Sequence, residues 1–156
     1  MKSGFQKILF PTDFSDSAEL AVPLALKMAS AFNAQVTCLH VADDPIDEWI
    51  CSWSLGPDVA SRATNRTAAM NRLRSFSDRH FRGLKSTPRL DVVSGKPDEA
   101  IVRYAENNGY DLIVMGGHAY GEAESGLHET NTDRIVRSSS VPVLTVCEPV
   151  SDYVRL

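Results

Sequence analysis

Tyr110-Asp111-Leu112-Ile113-Val114-Met115-Gly116-Gly117-His118-Ala119-Tyr120-Gly121 is the stretch that decides the fold. An apolar run ends in paired glycines, which reads as a buried strand leaving the sheet into a loop. Gly116-Gly117 permits positive φ and close backbone approach to a ligand. Paired glycines after a strand are also ordinary turn chemistry, so by themselves they define no site. The loop behind them carries Glu122, Glu124 and Glu129, whereas a cradle for phosphate is expected to avoid carboxylates.

Working outward, short apolar strands alternate with helical stretches, the pattern of a parallel sheet covered on both faces. Strand one is Lys7-Ile8-Leu9-Phe10, closed by Pro11-Thr12-Asp13. A helix follows with Leu20, Leu24 and Met28 on its stripe, and Asp16 and Glu19 are spaced as a capping box. Strand two is Gln35 to Val41. A loop from Ala42 to about Val59 carries Trp49 and Trp53, and a helix is expected over Thr67 to Phe81 with Met70, Leu73 and Phe76 on one face. Arg62 and Arg66 fall on that same stripe if the helix starts earlier, which suggests that they overhang the end of the sheet.

Strand three is Arg89 to Val93. Pro97, Asp98 and Glu99 suit the first turn of the next helix, and Asn108-Gly109 suits its end. After strand four (Tyr110 to Met115) a helix is expected from Thr130 to Ser138, then strand five, Val141 to Val146. Pro142 donates no ladder hydrogen bond, which argues for an edge position. An edge so apolar invites pairing with a second copy, and a homodimer through 141–146 is expected.

The 156 residues suffice for a single domain with a real core, spanning 1–156. No apolar run has the length of a membrane span, and Met1 to Lys7 leads into a strand instead of a secretory signal, so no membrane partner is expected. Cys38, Cys51 and Cys147 are odd in number and lack CxxC spacing, which favours reduced thiols in a cytoplasmic protein. The net charge of -4 carries no nucleic-acid signature. Arg62, Arg66, Arg72, Arg74, Arg79, Arg82, Lys85 and Arg89 cluster against the lone Asp78, and a solvated helix face explains them more simply than a binding patch.

In open parallel sheets ligands bind beyond the carboxyl ends of the strands, where strand order reverses. The candidates are therefore Pro11-Thr12-Asp13, Val41-Ala42-Asp43 and Met115 to Gly121. Asp13 is placed either to accept from a ribose hydroxyl or an exocyclic amine, or to cap a turn before the first helix. The start of the last helix offers amides to an anion.

These pieces, from Lys7-Ile8-Leu9-Phe10-Pro11-Thr12-Asp13-Phe14-Ser15 through Leu39-His40-Val41, Gly95-Lys96-Pro97, Asp111 to Gly116 and Asp133-Arg134-Ile135-Val136-Arg137 to Val141-Pro142-Val143-Leu144-Thr145-Val146, resemble the universal stress protein family over nearly the whole chain. The resemblance implies an open, Rossmann-like five-stranded α/β sheet of the adenine nucleotide alpha hydrolase-like type, with helices on both faces. It also implies dimers through the last strand and a cytoplasmic stress-response role. Some members bind ATP or AMP and others do not. The binders carry G-x-x-G, nine residues, then G-[S/T]. Here the first glycine is Gly116, the second position is Ala119, the third is Glu129, and Thr130 takes the hydroxyl position; His118 lies between. Asp13 matches the family's ribose- or adenine-contacting aspartate, and Val41 its base-contacting backbone. The implied site is thus Pro11, Thr12, Asp13, Val41, Met115, Gly116, His118, Ala119, Glu129 and Thr130.

Ala119 still allows close approach, at about 1 kcal/mol if φ must be positive. Glu129 matters more. Two like charges at about 4 Å repel by roughly 4 kcal/mol at an effective dielectric of 20. ATP binding is accordingly expected to be weak or absent, with adenosine or AMP the better ligand, unless Mg²⁺ or the arginines Arg62 and Arg66 offset the charge. The alternatives are a switch that binds ATP or AMP, and a pure interaction module that recruits a protein partner through the dimer surface, the Trp49/Trp53 loop and the basic helix. His118, Glu122, Glu124 and His128 share one loop, but without strict ligand spacing no metal is expected. Ser15, Ser94 and Ser125 lack a nucleophile elbow, and no catalysis is expected.

Overall fold

The computed structural model describes residues 4–42, 59–117 and 129–147, with the backbone alone for 59–64. The elements run β1 (Lys7–Pro11), α1 (Asp16–Phe32), β2 (Gln35–Ala42), α2 (Val59–His80), β3 (Arg89–Ser94), α3 (Pro97–Asn107), β4 (Leu112–Gly116), α4 (Asn131–Ser138) and β5 (Val143–Val146). The sheet is parallel, in the order β3-β2-β1-β4-β5. β5 therefore lies at an edge, with Pro142 just outside the strand, where its carbonyl still accepts from the Ile113 amide at 2.9 Å.

The strands are apolar at nearly every position because both faces are covered. Their alternation sorts the core into two layers. Ile8, Phe10, Val36, Cys38, Leu112 and Val114 pack against α1 and α2, while Leu9, Leu39, Ile113 and Met115 pack against α3 and α4. Asp111, which opens the decisive stretch, is a structural residue: one carboxylate oxygen accepts from the Gln6 and Lys7 amides at 2.8 and 2.9 Å, setting β4 beside β1.

Several local expectations change. Ser15, and not Asp16, caps α1, and its hydroxyl oxygen accepts from the Ala18 amide. The face of α1 turned to the sheet consists of Ala18, Ala21, Val22, Ala25 and Ala29; Leu20, Leu24 and Met28 flank it, half-buried. Small side chains let this helix lie close to the strands. α2 begins at Val59, earlier than its apolar pattern, and Arg66 is exposed beside Asp91 of β3 at 3.8 Å, so it does not overhang the ligand end of the sheet. The side chain of Arg62 and the Trp49/Trp53 loop lie outside the described residues. Among the described residues no helix is long and apolar enough to cross a membrane.

Candidate functional site

Consecutive strands run outward from β1 in both directions, so the order reverses between β1 and β4. A cavity of about 700 Å³ opens there, beyond the carboxyl ends of β1, β2 and β4. Such volumes suit small-molecule ligands. Pro11, Thr12, Asp13, Val41, Met115, Gly116, Glu129 and Thr130 all line it. His118 and Ala119 lie outside the described residues, as does the His118–His128 loop considered for a metal. The cavity also takes in His40, Asn131, Thr132 and Arg134, which the sequence did not single out.

The β1–α1 connection forms one wall of the cavity. Thr12 and Asp13 shape it with their own side chains: the Thr12 hydroxyl accepts from the Phe14 amide and Asp13 Oδ1 from the Ser15 amide, both at 3.0 Å. The turn-capping role of Asp13 is thus present, and the residue is exposed and lines the cavity. Phe14 between them has φ of 65°, a left-handed conformation that costs an aromatic residue about 1 kcal/mol. Ring contacts hold it there: His40 at 4.6 Å, Phe76 at 5.8 Å and the Arg72 guanidinium at 4.5 Å.

His40 Nδ1 lies 2.9 Å from the Thr12 carbonyl. A carbonyl only accepts, so Nδ1 carries a proton in this contact. The signal for this residue was its position at the end of β2, one before Val41; nothing in its spacing marks it.

Gly116 has a different reason from the one its motif suggests. Neither it nor Gly117 has positive φ. A Cβ on Gly116 would sit 2.0 Å from the Ser17 carbonyl oxygen and 2.8 Å from the Ala18 nitrogen. The glycine lets the end of β4 touch the start of α1. The Ser17 hydroxyl seals the contact, donating to the Gly117 carbonyl at 2.7 Å.

At the other end of the cavity, Thr130 caps α4 in a complete capping box. Its oxygen accepts from the Asp133 amide at 3.1 Å and its hydroxyl donates to the Asp133 carboxylate at 2.8 Å. The Thr130 hydroxyl proton is therefore committed within the helix start. The amides of Asn131 and Thr132 have no intrahelical acceptor, and both residues line the cavity.

The charge of Glu129 is the principal correction to the sequence reading. Its carboxylate lies 2.9 Å from Arg137 and 3.7 Å from Arg134. Arg134 is also 3.7 Å from Asp98 at the start of α3. Two guanidiniums thus face Glu129 and Asp98 and offset much of the repulsion expected for an isolated Glu129, while the Asp133 carboxylate lies at the same helix start. The offset comes from α4 itself, one and two turns beyond the residue it neutralises, and not from Arg62 or Arg66.

An open five-stranded parallel sheet with a cavity at its switch point defines a Rossmann-like α/β protein. The universal stress protein family model matches residues 4–146, and the chain belongs to this family. It is 30% identical to universal stress protein MJ0577 of Methanocaldococcus jannaschii over 94% of this chain and 97% of that one. The solved structure of MJ0577 superposes with a TM-score of 0.74 at 27% identity, covering 94% of this chain and 98% of that chain. A universal stress protein solved in complex with cAMP has the same fold, with a TM-score of 0.68 at 23% identity over 93% of this chain and 98% of that one.

Proposed function

We propose that this universal stress protein binds adenosine or AMP in the switch-point cavity, that it binds ATP weakly or not at all, and that it works as a non-catalytic homodimer. The observation that carries the reading is the division of the cavity into two unlike ends. One end offers Asp13, His40 and the backbone around Val41 to a nucleoside. The other holds Glu129, neutralised but still filling the position that a glycine takes in the nucleotide-binding pattern. A first phosphate meets two open helix-start amides there. Further phosphates meet a carboxylate, with the Thr130 hydroxyl proton already committed.

The absence of catalysis rests on Ser15. Its hydroxyl lies against Asp13, but its oxygen accepts from the Ala18 amide, which is the duty of a helix cap and not of a nucleophile. The homodimer rests on β5, an apolar edge strand that among the described residues pairs only with β4. A stress-response role in the cytoplasm follows from family membership.

The compensation of Glu129 by Arg137 and Arg134 favours the second reading, an ATP-dependent switch, more than the sequence did. Titration calorimetry with adenosine, AMP and ATP separates the two. Binding of adenosine and AMP, at least tenfold weaker binding of ATP, and loss of all three in Asp13→Ala support the proposal. ATP binding at or above the affinity of AMP establishes the switch, and no binding of any of the three leaves the interaction module.

A further inference from the structure

Arg134 is the one cation among the described residues that line the cavity. Its guanidinium reaches back from the second turn of α4 to a point between Glu129 and Asp98, 3.7 Å from each. These are ion pairs beyond hydrogen-bonding distance, and the side chain is half exposed. A charge-assisted hydrogen bond closes to about 2.7–2.9 Å. Among the described residues, Arg134 is therefore held by charge, and its fork of N–H donors makes no hydrogen bond there.

Both of its carboxylate partners have other support. Glu129 keeps Arg137 at 2.9 Å. Asp98 lies in the first turn of α3, where the helix dipole stabilises a negative charge. Arg134 can thus turn to a ligand without leaving either carboxylate uncompensated. Beside it, at the start of α4, are the amides of Asn131 and Thr132, which have no intrahelical acceptor and are the backbone groups that a helix offers to an anion. A guanidinium beyond those amides supplies the bidentate contact that two backbone N–H groups lack.

Resting on the reading of this cavity as an adenosine-type site, we propose that Arg134 reads the single phosphate of a nucleoside monophosphate and so determines the preference for AMP over adenosine. Asp98 restrains it: the carboxylate competes with the ligand phosphate for the same guanidinium. Glu129, fixed by Arg137, bounds the space beyond and disfavours longer phosphate chains.

The test compares adenosine with AMP by calorimetry in the full-length protein, using Arg134→Gln, Arg134→Lys and Asp98→Asn, each checked for a native circular dichroism spectrum and melt. The wild type is expected to bind AMP about tenfold more tightly than adenosine, the value of one charge-assisted contact. Arg134→Gln is expected to bring the ratio close to one without changing the affinity for adenosine. Arg134→Lys keeps the charge but loses the fork, and is expected to fall between them. Asp98→Asn releases the guanidinium and is expected to raise the ratio. An unchanged ratio in Arg134→Gln overturns the proposal, as does a wild type that binds adenosine and AMP equally; in both cases the adenosine site itself stands. Failure of the wild type to bind adenosine or AMP overturns the reading of the cavity, and this proposal with it.

Discussion

Substituting Gly116 by alanine separates the two reasons a glycine can stand at that position. If it served only to let a phosphate approach, the unliganded protein would tolerate a methyl group. The structure places that methyl 2.0 Å from the Ser17 carbonyl oxygen and 2.5 Å from the Ser17 carbonyl carbon. Both atoms are backbone, at the start of a 17-residue helix packed across the sheet. Reaching even a crowded 3.0 Å requires α1 and β4 to part by about 1 Å, and overpacking of this kind costs about 3 kcal/mol, the upper part of its usual range. For a chain of this size that lowers Tm by roughly 6–12 °C. Gly117→Ala is the matched control. Its methyl meets the Cys147 sulfur at 2.9 Å, a side chain able to rotate away, and the loss is expected to stay below about 1 kcal/mol. Urea unfolding of both variants without nucleotide measures the difference. A Gly116→Ala protein within about 0.5 kcal/mol of wild type refutes the packing account and returns the residue to a ligand-binding role.

Thr130→Ala removes the two hydrogen bonds that the hydroxyl makes with Asp133 and leaves the one from the Thr130 backbone amide, and is expected to cost about 1 kcal/mol in urea unfolding even without ligand; a stability equal to wild type means that α4 does not need its hydroxyl cap. Burial pushes the Cys38 thiol up to about 12. The folded value of this acid exceeds the unfolded value, so its contribution is complete below about pH 8.5 and declines as pH rises from there toward 12. Native protein at pH 8 is therefore expected to leave Cys38 unalkylated until urea unfolds it, as read by peptide mass spectrometry, and rapid native labelling would contradict the burial.

Much of the fold was legible because it depends on local pattern. Runs such as Ile8-Leu9-Phe10 and Leu112 to Met115 are apolar at every position, and only a strand covered on both faces asks for that. Pro97, Asn108-Gly109 and Pro142 punctuate the elements by rules of backbone geometry. Helix boundaries were less legible. The first turns of α2 carry no apolar stripe to reveal them, and the cap of α1 falls on Ser15 because the backbone turns at Phe14, a conformation that rings distant in the chain hold in place.

The candidate site divides in the same way. Chain order and the switch-point rule brought Pro11, Thr12, Asp13, Val41, Met115 and Gly116 to one cavity, because strand ends in a parallel sheet converge regardless of side-chain detail, and the family resemblance added Glu129 and Thr130. What charge Glu129 presents, which hydroxyl is free and why Gly116 has no side chain depend on distances between segments far apart in sequence. Arg134 faces Asp98 across 36 positions, and Gly116 meets Ser17 across 99. By itself the sequence determined the sheet and the location of the pocket, since hydrophobic period and turn chemistry act along the chain, and its motifs carried the resemblance to the family. Only the tertiary structure decided the electrostatics around Glu129, since Coulomb and contact energies depend on separation in space, and that separation exists only once α3, α4 and the sheet have packed.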